Sequence, residues 1–153
     1  MKKEILLFIT AFIANTPCWS QRPSDLQDEL LRQYEGEWVT IDSKTANLTK
    51  IIISNTGDMT VHAFGNCHPE DCDIGITELH LVSDNVDKNS NIIPFDHGLA
   101  IWNMNYAIKI MKLWVHMGAM PDRTQLYVET TTIFKDNSGR SNYHHSTIMR
   151  KVN

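Results

Sequence analysis

The chain has 153 residues, 42% of them hydrophobic and 21% charged, and a formal net charge of −4. That length holds one domain with a core of its own. The acidic balance argues against a nucleic-acid partner, which would need a basic face.

The N-terminus opens with Lys2 and Lys3, then an apolar run from Ile5 to Ile13 broken only by Thr10. Spanning a bilayer takes ~20 apolar residues, so this run is too short. A basic start, a short apolar stretch and then small and polar residues is the pattern of a secretory signal. Cleavage is expected after Ser20, which makes 1–20 a leader and 21–153 one mature domain, periplasmic or secreted. A buried N-terminal strand or helix is the competing reading. A lipid anchor on Cys18 fits poorly with Asn15-Thr16-Pro17 ahead of it. No later segment is long or apolar enough to be transmembrane.

Residues 21–35 are expected to form a short helix. Ser24 and Gln27 have capping-box spacing, Leu26, Leu30, Leu31 and Tyr34 recur at helical spacing, and Gly36 supplies a stop. From Trp38 the apolar period changes to two, and strands are expected near 37–42, 48–55, 58–65, 75–82, 98–104, 106–117, 123–135 and 142–151. Asn55-Thr56-Gly57-Asp58 and Asp136-Asn137-Ser138-Gly139-Arg140 have the residues of tight turns, and the polar segment 83–97 reads as the longest loop. About eight strands on short turns predict an all-β, antiparallel up-and-down barrel with a short N-terminal helix, and a two-sheet sandwich is the alternative. The interior of a barrel this size holds side chains or one small ligand.

Of the three cysteines, Cys18 falls in the leader, which leaves Cys67 and Cys72. An even pair in an exported chain reads as a disulfide, here closing a ring around His68-Pro69-Glu70-Asp71. Cys67, His68, Asp71, Cys72 and Asp73 are metal-ligand types, but the spacing is not that of zinc knuckles and free thiolates would have to survive export. No metal and no cofactor is therefore expected, and His68, Glu70, Asp71 and Asp73 form a candidate interaction loop. In the later turn, Asp136 can accept turn amides and Gly139 suits a left-handed position. No histidine lies near a nucleophile at catalytic spacing. The aromatic set His62, Phe64, Trp102, Trp114 and Tyr127 is the candidate lining of a cavity for an apolar ligand. The same residues can equally fill the barrel.

Gly36-Glu37-Trp38 after a short helix, with Arg150 in the last strand, resembles the lipocalin and wider calycin superfamily. In that superfamily a G-x-W tryptophan packs against a late arginine at the closed end of the barrel, which implies structural roles for Trp38 and Arg150. The chain also resembles a group of exported or soluble bacterial proteins with the pattern V-x-x-W-G-x-C-H-P-x-D-C-D-W-G and a late F-x-D-x-S-G-R. These appear here as Val61 through Gly75, with Phe64 and Ile74 in the tryptophan positions, and as Phe134 through Arg140. That second resemblance implies a shared fold and brings no activity with it. The expectation is a non-catalytic barrel that binds a small, partly apolar molecule. Its alternatives are an exported inhibitor or envelope accessory factor acting through the Cys67–Cys72 loop, and a hydrolase or metal enzyme built on His68, Asp71 and Asp73.

Overall fold

Alternation of burial along each strand is what organises this fold. In β6 (Ala107–His116), buried Ala107, Lys109, Met111 and Leu113 alternate with partly exposed Ile108, Ile110, Lys112 and Trp114. In β7 (Gln125–Phe134), Leu126, Val128, Thr130 and Thr132 are the buried set. Successive side chains of a strand point to opposite faces, so each strand has one inner and one outer row. The structure, a computed structural model, describes residues 23–152 apart from 43, 46, 84–94 and 117–123, and of 23–27 the backbone only. The expected leader, the side chains of the capping pair Ser24–Gln27 and most of the expected long loop lie outside what is described.

Helix α1 (Pro23–Tyr34) precedes β1 (Gly36–Thr40), β2 (Leu48–Asn55), β3 (Met59–Gly65), β4 (Cys72–Val82), β5 (His97–Asn103), β6, β7 and β8 (Tyr143–Lys151). The strands close into an antiparallel barrel in chain order, and β8 pairs back onto β1. Closure leaves no edge strand free to recruit another chain.

The inner rows meet in one apolar core. Trp38, Leu48, Ile51, Ile53, Val61, Met111, Leu113, Leu126, Val128 and Met149 are all essentially free of solvent contact. Fully burying a side chain of this kind contributes about 1.5–3 kcal/mol, so this packed interior dominates the stability of the fold. Small residues make room for large ones. A Cβ on Gly98 would lie 2.9 Å from side-chain carbons of both Leu79 and Leu113.

The last turn of helix α1 is tied to one end of the barrel. Tyr34 is buried there, and its carbonyl accepts a hydrogen bond from the Trp38 indole at 2.8 Å. Gly36, at φ +125°, turns the chain from helix into β1. The basic residue over Trp38 is Lys151, whose Nζ lies 5.4 Å from the ring centroid and 3.5 Å from the Arg32 carbonyl. Arg150, the expected partner, is exposed and stands opposite Val39 and Gln125 on the outer row. The difference is one of parity: Met149 and Lys151 share the inner row, so Arg150 must face out.

At the other end lies the largest departure from the expected boundaries. β4 starts at Cys72 rather than at 75. Ala63 pairs with Gly75 and Phe64 with Asp73, so Ile74 is an extra residue, a bulge, with Gly75 at φ +100°. A second shift on the β2 side leaves Thr49 unmatched between Leu48 and Lys50. Bulges bend and twist a strand locally. Two of them flanking Phe64–Gly65 form a corner from which the 66–71 connection departs.

Candidate functional site

The corner accounts for most of the polar residues that stand out in the sequence. Cys67 and Cys72 form a disulfide, with their Cα atoms 5.4 Å apart. Thr49, left over at its bulge, donates its hydroxyl to Asp71 at 2.8 Å. Asp73 Oδ1 accepts the Gly75 amide at 2.7 Å and pairs with His62 Nε2 at 2.7 Å. The His62 hydrogen bond first, then the Gly75 amide, holds the Asp73 carboxyl below the ordinary carboxylate range. The His62 ring in turn lies 4.3 Å from the Phe64 ring, and the Lys50 ammonium sits over that same Phe64 ring, 4.4 Å from its centroid. Of the four candidate interaction residues, Asp71 and Asp73 are thus committed to the barrel wall. His68 and Glu70 are exposed.

The late turn is built in a similar way. Asn137 and Gly139 take positive φ, Asp136 Oδ1 accepts the Ser138 amide at 3.2 Å, and Arg140 pairs with Asp136. Hydrogen bonding from Ser138, with Arg140 beside it, holds Asp136 low as well. The Arg140 guanidinium lies 3.9 Å from the Phe134 ring centroid and 5.5 Å from that of Tyr106. Stacking on two rings closes this turn over the barrel end.

The five aromatic candidates do not share one cavity, which corrects the expectation that they line the barrel. Only Trp102 lies on the inner row, where it is buried and donates its indole to the Gly75 carbonyl at 2.9 Å. His62 and Phe64 alternate with the buried Val61 and Ala63, and so stand on the outer wall. Trp114 alternates with buried Leu113, and Tyr127 with buried Leu126 and Val128. Among the described residues, the interior they were expected to line is occupied by a core of mainly aliphatic side chains with Trp38 and Trp102. Its one buried cation, among the described residues, is Lys109, whose ammonium donates to Thr132 Oγ1 at 3.0 Å and lies 5.6 Å from the Tyr143 ring centroid.

Two of those outward aromatics do form a site. A groove of about 470 Å³ runs along the outer wall beside Trp114, Tyr127 and Ile148, and reaches Ile41 and Asp42 at the end of β1. Barrel register builds it. Trp114 stands opposite Tyr127, and Tyr127 opposite Ile148. The Ile41 amide donates to the Ile148 carbonyl at 3.1 Å, which brings the β1–β2 connection alongside. The two rings are stacked, 5.7 Å between centroids and 13° between planes, and His116 meets Tyr127 edge-on. Asp42, Glu129 and His145 supply ionisable groups at the groove. A smaller hollow on the other side of Trp114 is lined by Asp96, His97 and Lys112.

Ile41, Asp42, Glu129 and Ile148 are absent from the sequence-based candidates. A signal for them existed. Ile148 sits one residue out of phase with Met149, as Trp114 does with Leu113, so large apolar residues recur on the outer row of neighbouring strands. Only the register shows that they meet. Among the described residues, no three His, Cys, Asp or Glu side chains converge to hold a metal, and no helix is long and apolar enough to cross a membrane. No family model, curated protein or solved structure matches the chain.

Proposed function

We propose that the protein is an exported, non-catalytic binder of a small, partly apolar molecule, and that the ligand sits in the outer groove of β6–β8 instead of inside the barrel. The observation that carries this reading is the pairing of a solvent-free, filled interior with an open groove of about 470 Å³ walled by Trp114, Tyr127 and Ile148. Small-molecule sites are mostly apolar hollows of roughly 300–1,000 Å³ with a few polar groups, and the groove has that size and composition. Export is supported by the leader-like N-terminus and by the Cys67–Cys72 bridge, since disulfides persist in oxidising compartments.

A titration with 2-(2-naphthyl)ethanol, a neutral two-ring probe, tests the site. Binding to the mature protein is expected to weaken at least tenfold in Trp114→Ala, because the variant removes one wall of the groove and leaves the core untouched. Equal binding by Trp114→Ala would overturn the assignment.

One observation favours a second reading, in which the disulfide loop docks a protein partner. With Asp71 and Asp73 tied to Thr49 and His62, the loop is held rigidly and presents His68 and Glu70 to solvent. Under that reading His68→Ala/Glu70→Ala abolishes capture of a partner that wild type retains. Undiminished capture of every partner would remove the loop from consideration.

A further inference from the structure

The groove's walls say that the ligand is partly apolar, and its charges narrow the class further. We infer that the groove selects an amphipathic cation, a molecule with a flat or bulky apolar body and an amine or ammonium group, recognised by Glu129 with Asp42 at the far edge. This rests on the groove being the binding site.

Two carboxylates line the groove, and no lysine or arginine does. Glu129 is half-buried beside the aromatic wall. The ion pairs among the described residues are His62–Asp73, His80–Glu78, His97–Asp96 and Arg140–Asp136, so neither Glu129 nor Asp42 is neutralised by one. The nearest cation by register is Lys112, directly opposite Glu129 on β6. Its ammonium instead lies over the Trp114 ring at 5.7 Å and faces the hollow shared with Asp96 and His97. Asp42 Oδ1 accepts the Lys44 amide at 2.9 Å, which aims the carboxylate without neutralising it. Arg150, the other outer-row cation on β8, sits opposite Gln125, one outer position beyond the Tyr127–Ile148 pair.

An ionised carboxylate that is half out of water beside apolar surface is under-solvated, and a bound ammonium restores the lost interaction. The Trp114 ring already has the Lys112 ammonium over it, so of the two rings it is Tyr127 that adds attraction for the same charge, since aromatic faces are negative. A carboxylate ligand would meet repulsion from both acids. A neutral ligand would gain the apolar contacts alone.

Three probes with one body and different heads separate these cases: 2-(2-naphthyl)ethylamine, 2-(2-naphthyl)ethanol and 2-naphthylacetate. The amine is expected to bind five- to tenfold more tightly than the alcohol, and the carboxylate more weakly than both. The factor follows from roughly 1 kcal/mol for a charge-assisted contact at a partly exposed site. In Glu129→Gln the amine's advantage over the alcohol is expected to vanish. If alcohol and amine bind alike, both dependent on Trp114, the groove stands and the cation inference falls. If no probe depends on Trp114, the groove assignment itself fails and takes the inference with it.

Discussion

Asp73 shows how a residue that looks chemically active can be occupied by the fold. Its carboxylate accepts from His62 and from the Gly75 amide, on a wall where both partners are placed by the Ile74 bulge. Asp71 is likewise taken by Thr49. Asp71 and Asp73 therefore act as clamps on a corner, which gives a structural role to two of the three residues on which a hydrolase or metal site was considered. This use was not legible in the chain, because the side-chain donors Thr49 and His62 come from β2 and β3, more than ten residues away. A pH dependence follows. Asp73 and Asp136 both titrate below the ordinary aspartate value when folded. A carboxyl with a depressed folded pKa stabilises the fold above its unfolded value and loses that contribution as pH falls through the folded one. Wild type is expected to exceed Asp73→Asn/Asp136→Asn in stability at pH 7, with the gap closing below about pH 4. Urea unfolding from pH 7 down to pH 2 reads it, and a gap independent of pH would contradict the assignment.

At the scale of elements, the strands were legible because two signals agree. Runs of β-forming residues such as Ile51-Ile52-Ile53 and Thr130-Thr131-Thr132-Ile133-Phe134 mark the strands, and Gly57 and Gly139 mark the β2–β3 and β7–β8 turns that bound them. The start of β4 was not legible, since a bulge adds a residue and breaks the period of two. Cys72, Asp73 and Ile74 read as loop for that reason and belong to β4 in the structure, with Cys72 and Asp73 paired and Ile74 bulged. The helix-to-barrel junction is the other element with a stringent demand. Gly36 sits at φ +125°, and a Cβ there would lie 2.7 Å from Lys151 Cε. Gly36→Ala combines backbone strain with displacement of the lysine that covers Trp38. It is expected to lower stability by about 1–3 kcal/mol, measured by denaturant unfolding. A neutral result would mean that the helix end is free to rearrange.

On the scale of the whole molecule, the barrel is a scaffold whose inside is fully used. Trp38, Met111 and their neighbours leave the interior to packing, while the outer wall carries Lys50, Glu78, Lys112 and Glu129 among its aromatic and aliphatic residues. Eight strands in antiparallel order follow from the strand runs and the short turns, and closure is expected over a two-sheet sandwich because it hides the edges. The location of a binding surface does not follow in this way, because aromatic residues look alike from sequence whichever row they occupy. Parity against neighbours separates them: Trp102 follows the small inner residues Gly98 and Ala100, whereas Trp114 and Tyr127 stand between aliphatic residues that already claim the inside.

The tryptophan indole region of a proton–nitrogen correlation spectrum tests this account most directly. Trp38, Trp102 and Trp114 report separately on the helix end, the inner row and the outer groove. Titration with 2-(2-naphthyl)ethylamine is expected to shift the Trp114 indole and leave those of Trp38 and Trp102 in place. Movement of Trp38 or Trp102 with Trp114 unchanged would place the ligand inside the barrel and contradict the assignment to the outer wall.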